Sequence, residues 1–374
     1  MTKIINVNLK NNKYKIIIGN NTLNKVDYFH KHHFKKRKKI IIFDKNLINN
    51  SILKLLIKKL GKNTPCIAIP PGEKSKSIER LEKLYNKLFQ LKIDRSTILY
   101  AFGGGVIGDL TGFTASTIMR GVDYVQIPTT LLSQIDSSVG GKTAINNKYG
   151  KNLIGSFYQP KLVLIDTRTL KTLPKRQMIS GYAEMVKYSF IKDRSFFSWL
   201  EKNGNLVLKK NSEKLEFSIN KCCKAKAKIV EKDEKDIGQR AILNFGHTFA
   251  HAFERVSNYK DFTHGEAVAV GMLLAFKLST HLKFCPKKDL NRVIKHYNQL
   301  KLPTNIKYLL KNITNTNKIV SAMKLDKKTI NNLINFILVK GIGKGFICDT
   351  VNEKSLIKFL NENISNNQIK GDLK

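Results

Sequence analysis

Acidic side chains are scarce in this sequence: 28 Asp and Glu stand against 67 Lys and Arg, for a formal net charge of +39. An imbalance of that size is the usual footprint of a nucleic-acid binder. The lysines, however, are spread along the whole chain and accompanied by abundant asparagine and isoleucine, all residues of A/T-rich codons. The charge therefore reads as mutational bias, and no nucleic-acid partner is expected. The basic run Lys31–Lys39 reads as a solvated loop before a strand. Cysteine is also scarce. None of the 5 cysteines forms a CxxC pair, so neither a disulfide frame nor a zinc knuckle is indicated. Long apolar runs are missing too. The longest, Ala267–Phe276, is too short to span a bilayer and reads as a buried helix. The first residues contain no apolar signal core, so a cytosolic protein without a membrane partner is expected.

What is present is an ordinary globular composition, 42% hydrophobic, in a chain long enough for two domains. The first half alternates strands with helices. Residues 4–9 and 14–18 read as a hairpin around Asn11-Asn12. Residues 39–43, 66–69, 97–102, 124–127 and 162–165 read as buried strands, with helices at 48–60 and 77–91 between them. Alternating βα units imply a mostly parallel sheet covered by helices, an α/β Rossmann-like domain. Beyond Leu173-Pro174 the periodicity becomes helical at 178–191, 195–200, 212–230, 241–256, 266–282 and 287–300. A boundary near residue 175 therefore divides an α/β domain, 1–175, from an all-helical domain, 176–374. The tail from Asn361 is polar.

Three constellations carry chemistry. Gly103-Gly-Gly-Val-Ile-Gly108 follows a strand and fits G-x-G-x-x-G, letting backbone approach a pyrophosphate at a helix N-terminus. A tight turn without a ligand would share that pattern. Asp123 stands at the wrong end of its strand to hold a ribose, and Asp44 is the better partner. Next, His247 and His251 share a helix face at i, i+4, and His264 opens the following helix. Glu184 could complete a His/His/Glu set suited to Zn²⁺ or a similar ion. Spacing leaves open whether His251 is a ligand or a neighbour of the ion. Last, the polar, loop-like run 128–143, with Gly140-Gly141-Lys142, then Gly150-Lys151-Asn152, offers hydroxyls and ammonium groups as a phosphate cradle, or simply a capped loop.

Taken together, in this order, these blocks resemble the 3-dehydroquinate synthase family. The resemblance runs from about residue 40 to 350 and extends through Met119-Arg-Gly121, Gly181-Tyr-Ala-Glu-Met-Val-Lys-Tyr188, Asn244–Glu254, His264–Met272 and Asp326-Lys-Lys328. It implies a Rossmann-like first domain, an all-helical second domain and an active site in the cleft between them. The implied reaction converts 3-deoxy-D-arabino-heptulosonate 7-phosphate (DAHP) to 3-dehydroquinate and phosphate, in the shikimate pathway. NAD⁺ is implied as a catalyst regenerated within each turnover rather than a consumed substrate, and a divalent ion, Zn or Co, assists. By resemblance Glu184, His247 and His264 are the metal ligands, with Lys187 on the same hydroxyl region. Lys142, Asn152, Asn244, His251, Arg120 and Lys327, or its neighbour Lys328, match the phosphate set. Arg120 is expected to reach a neighbouring subunit of a homodimer. Arg240 and Lys226 match carboxylate and hydroxyl contacts, and Asp136 a further substrate position. Asp44, Asn46, Glu73, Lys76, Gly104, Gly105, Asp109, Thr129, Thr130, Lys142, Lys151 and Thr172 match NAD contacts. Pro71 and Gln177 depart from the family pattern, where acidic residues are frequent.

Three competing readings remain distinct. Another sugar-phosphate cyclase, such as a 2-deoxy-scyllo-inosose synthase, would share the metal and NAD sets, but Arg240 suits a substrate carboxylate it would not need. A polyol dehydrogenase would not need the phosphate cradle. A basic nucleic-acid-binding protein would gather its lysines on one face.

Overall fold

A computed structural model describes residues 2–10, 12–258, 262–310, 316–324 and 334–365. The chain divides into two compact units, Met1–Pro174 with Lys210–Asp236, and Lys175–Lys209 with Ile237–Lys374.

Among the described residues the first unit carries a seven-stranded sheet. Its strands are β1 (Lys3–Asn8), β2 (Lys13–Gly19), β3 (Lys39–Asp44), β4 (Cys66–Ile69), β5 (Ile98–Gly103), β6 (Tyr124–Pro128) and β9 (Leu162–Asp166). They lie in the order β1-β2-β9-β6-β5-β3-β4. Only the expected β1–β2 hairpin is antiparallel; β2 onward is parallel. The pleat decides why these segments are so apolar. Within β3, Ile40 and Ile42 join one core while Ile41 and Phe43 join another, and β5 divides Leu99 and Ala101 from Ile98, Tyr100 and Phe102 in the same way. Helices 78–90 and 105–117 cover the first face; helices 26–34 and 51–60 cover the second. A strand buried on both faces must be hydrophobic throughout.

Three local expectations change. The basic run begins inside a helix, Val26–Phe34, whose buried face is Val26, His30 and Phe34. The polar run after Pro128 is not a loop. It forms a turn of π-helix, Ser133–Ser137, then β7 (Lys142–Asn147), which pairs antiparallel with β8 (Gly150–Phe157). In β7 the inward-facing Thr143 and Ile145 are interspersed with polar residues, which hides the strand in the sequence. Finally, helix Ser212–Lys232, expected with the helical domain, belongs to the first unit. Its Glu216 and Glu231 accept from the backbone N–H groups of Asn20 (3.1 Å) and Asn8 (2.7 Å), and Cys223 donates to the Gln134 carbonyl (3.1 Å).

The second unit is mostly helical, but it also contains an antiparallel pair, β10 (Phe336–Val339) and β11 (Gly345–Cys348), which the sequence reading did not include. Helix His264–His281 is nearly all buried, which accounts for its apolar run. Phe190, Phe245 and Phe276 pack edge-on around it, with ring centroids 4.9–6.2 Å apart. The helix expected over 241–256 is broken. Residues 239–244 form a 3₁₀ segment, and Gly246, at φ 80, starts a new helix, His247–Val256. The break lets two backbones touch: a Cβ on Gly271 would lie 2.2 Å from the Gly246 carbonyl oxygen. Gly271→Ala is therefore expected to destabilise the protein by ~1–3 kcal/mol, read from denaturant unfolding.

Asp289 ties the unit together, accepting from Arg194 (2.8 and 3.0 Å) and the Ile342 backbone N–H (3.0 Å). Burial would raise its carboxyl, but Arg194 and the Ile342 amide outweigh that and hold it below the ordinary value of 3.8. A depressed folded value gives stability that is present above the ordinary carboxylate range and lost as pH falls through the folded value. Asp289→Asn should therefore flatten the acid limb of a stability-versus-pH curve below about pH 4.

Candidate active site

The second unit holds the donor set. Helix Lys175–Lys192 places Glu184 and Lys187 one turn apart, both buried, with Lys187 Nζ 2.5 Å from Glu184 Oε2. Glu184 Oε1 lies 3.3 Å from Nε2 of both His247 and His264. The first histidine opens the helix after the Gly246 break, and the second is the first residue of helix 264–281. That second helix start is fixed by a capping box. Thr263 accepts from the Glu266 N–H, and Glu266 accepts from the Thr263 N–H at 2.6 Å. Glu266 also accepts from Arg176 (2.8 Å twice) on the helix that carries Glu184.

Burial alone would raise the Glu184 carboxyl, but Lys187, His247 and His264 outweigh it and hold Glu184 well below the usual carboxylate value. Burial pushes His247 down to about 4 despite the pull of Glu184. Burial works the same way on His264, yet Glu254 and Glu184 flank it and push it up to about 10. His247 Nδ1 faces the Phe245 carbonyl (3.2 Å) and His264 Nδ1 faces Glu254 (3.1 Å), so both rings turn Nε2 toward Glu184. The three ligand atoms lie within 4.8 Å of one another. Two imidazole lone pairs and a carboxylate converging on one buried point repel each other unless a proton or cation sits among them. An N,N,O set of this kind fits a borderline divalent ion with open coordination positions.

His251 stands beside this group rather than within it, its ring centroid 5.4 Å from that of His247. Among the described residues only Glu184, His247 and His264 form such a cluster. Arg240 is buried in the 3₁₀ segment, and Asn244 at its end donates to the Ala241 carbonyl (2.9 Å). Lys327 and Lys328 lie outside the described residues.

The first unit places several of the other expected residues at the carboxyl ends of its parallel strands, where open parallel sheets bind ligands, and others on the β7–β8 ribbon and helix 212–232. Asp44 ends β3 and caps the next turn, accepting from the Asn46 N–H (2.9 Å). Gly104 and Gly105 link β5 to helix 105–117, and Thr129 and Thr130 follow β6. Thr172 accepts from Asn50 (3.3 Å). Lys76, buried, binds Asp109 (2.6 Å), lies 3.7 Å from Glu73 and also contacts Asn152. Asn152 and Lys151 are on β8. Lys226, buried on helix 212–232, donates to the Asp136 carbonyl (2.7 Å) and carboxylate (2.8 Å). Lys142, at the start of β7, pairs with Asp236. Arg120 is exposed, at φ 66, and makes no ion pair among the described residues. Sequence reasoning missed Asp236 and Glu254, and their signal was available only as position: Glu254 falls on the same helix face as His247 and His251, at i+7 and i+3.

Models of the 3-dehydroquinate synthase N-terminal and C-terminal regions match residues 66–180 and 181–329. The chain is 42% identical to the 3-dehydroquinate synthase of Pelagibacter ubique over 364 residues, covering 96% of this chain and 98% of that one. The chain belongs to the 3-dehydroquinate synthase family. A second member, from Thermoanaerobacter pseudethanolicus, is 43% identical, covering 95% and 99% of the two chains. Among solved structures, a 2-deoxy-scyllo-inosose synthase complexed with carbaglucose-6-phosphate, NAD⁺ and Co²⁺ superposes with a TM-score of 0.84 at 26% identity, covering 96% and 100%. A protein described as a probable glycerol dehydrogenase, from Sinorhizobium meliloti, shares only the fold, at 12% identity, a TM-score of 0.65 and 95% and 97% coverage.

The donor set yields a direct check. Purified chain is expected to retain about one Zn²⁺ or Co²⁺ per molecule by atomic absorption, and His247→Ala to lose it.

Proposed function

We propose that this chain is an NAD- and divalent-metal-dependent enzyme that converts DAHP to 3-dehydroquinate and phosphate. The observation that carries the reading is the Glu184–His247–His264 set, with Glu184 and His247 buried and His264 half-buried, beside Lys187, in a chain 42% identical to a 3-dehydroquinate synthase along nearly its whole length. The inosose synthase is more distant, at 26%. Arg240 also argues for a carboxylate-bearing substrate, because a guanidinium pairs a carboxylate in a planar, two-bonded fork.

Glu184, His247 and His264 would hold the ion. When bound, the ion would polarise vicinal substrate hydroxyls, and NAD⁺ would take the hydride from one hydroxyl-bearing carbon and return it to the same carbon. Lys187 keeps Glu184 ionised and contacts the same hydroxyl region. Arg240 and Lys226 make the carboxylate and hydroxyl contacts. Asp136 holds Lys226 in place, so that the ammonium is oriented before substrate arrives. Lys142, Asn152, Asn244, His251 and Lys327 bind the phosphate. A ketone adjacent to the phosphate-bearing arm acidifies the intervening C–H, and the phosphate dianion itself can take that proton, so none of these residues need be a strong base. Asp44 binds the ribose. Asn46, Glu73, Lys76, Gly104, Gly105, Asp109, Thr129, Thr130, Lys142, Lys151 and Thr172 complete the dinucleotide contacts. Arg120 serves the phosphate site of a second copy in a homodimer. The working compartment is the cytosol. No described helix is long and apolar enough to cross a membrane.

The test is phosphate release from DAHP with catalytic NAD⁺ and Co²⁺. Release is expected to match 3-dehydroquinate one for one, without net NADH, and to stop with EDTA. Turnover of a carboxylate-free hexose phosphate instead would favour the inosose-type reading. Lys142→Met should lower turnover by ~100- to 1000-fold while leaving the unfolding midpoint in place.

A further inference from the structure

Glu254 is a carboxylate that the proposed chemistry does not use. It is 6% exposed, on the helix Val256 closes, and Oε1 sits 3.1 Å from Nδ1 of His264. A carboxylate oxygen cannot donate, so at this distance the ring must do so: Nδ1 carries the hydrogen and Nε2 is left to face Glu184. His247 is oriented differently, by the neutral Phe245 carbonyl. The two ligand histidines are thus held by partners of unequal charge. Glu184 supplies one negative charge to a divalent ion, and Glu254 supplies a second through the imidazole. Lys187 Nζ, 2.5 Å from Glu184 Oε2, pairs with the other carboxylate of the cluster.

We propose that Glu254 is a positioning residue for the metal: it fixes the tautomer and ring orientation of His264 and strengthens that ligand's donor nitrogen. The proposal rests on the metal-site reading above. Outer partners of ligand histidines are commonly worth 10- to 100-fold in metal affinity. Here the partner is buried and reaches its ligand from a different helix, so its loss also frees the ring to turn.

The experiment loads metal-free protein with Co²⁺, titrates it against a competing chelator and records the visible absorption of the bound ion, for the parent, Glu254→Gln and Glu254→Ala. Glu254→Ala is expected to bind Co²⁺ about 10- to 100-fold more weakly, with a shifted visible band. Glu254→Gln keeps an acceptor for Nδ1–H but not the charge. It should recover part of the affinity and keep a parent-like band shape, and its near-identical volume keeps the test available if the alanine variant does not fold. Parent-like affinity and spectrum in Glu254→Gln and Glu254→Ala would overturn the role while leaving the metal site intact. So would a lowered unfolding midpoint with an unchanged spectrum, which would make Glu254 a packing residue. Absence of Co²⁺ binding by the parent would sink the metal site together with this role.

Discussion

Glu184 is ionised at a position only 1% exposed, and the rest of the second unit is arranged around that charge. A lone carboxylate there would be strongly disfavoured, and neutralisation by a proton would be the usual escape. Instead Lys187 approaches to 2.5 Å and two imidazoles to 3.3 Å, arriving from three different helices. Each arrival needs its own support. His247 depends on the break at Gly246, His264 on a capping box that Arg176 reinforces, and Lys187 on one turn of helix. Removing one partner of such a cluster leaves the others as uncompensated charge, a loss of about 3–5 kcal/mol where a buried pair is broken. The site is therefore as much a constraint on the fold as a product of it.

The first unit solves a related problem with pairs. Three of its expected anion- or cofactor-binding cations are already matched to carboxylates: Lys76 to Asp109, Lys226 to Asp136 and Lys142 to Asp236. In a chain with only 28 acidic residues, these placements matter more than the net charge of +39. A paired ammonium keeps its rotamer before a ligand arrives, which lowers the entropy lost on binding and fixes the direction of its remaining N–H groups. The pairs also differ in exposure. Lys76 is 4% exposed and Lys142 52%, so one is set within the fold and the other stands where a ligand can reach it.

The parallel sheet explains why those groups meet at all. Asp44, Gly104, Thr129 and the turn after β9 are far apart in sequence. They become neighbours because β3, β5, β6 and β9 run in the same direction and end at one edge. The β7–β8 ribbon then brings Lys142, Lys151 and Asn152 into the same unit.

Much of this could be read in the sequence, because it follows from local physics. Doubly buried strands must be continuous apolar runs, and the strand–glycine–helix turn and the i, i+4 histidines are spacings that backbone geometry dictates. The chain by itself therefore determined the parallel α/β sheet, the helical second half and the identity of the residues in the donor set. It could not reveal the β7–β8 ribbon, where the inward-facing Thr143 and Ile145 are interspersed with polar residues. Nor could it show that helix 212–232 returns to the first unit, since an amphipathic face does not name its partner. The break at Gly246 and the reach of Glu254 to His264 were likewise decided by tertiary structure. A residue's type fixes what it can donate or accept; only packing between distant segments fixes which atom stands 3 Å away to receive it.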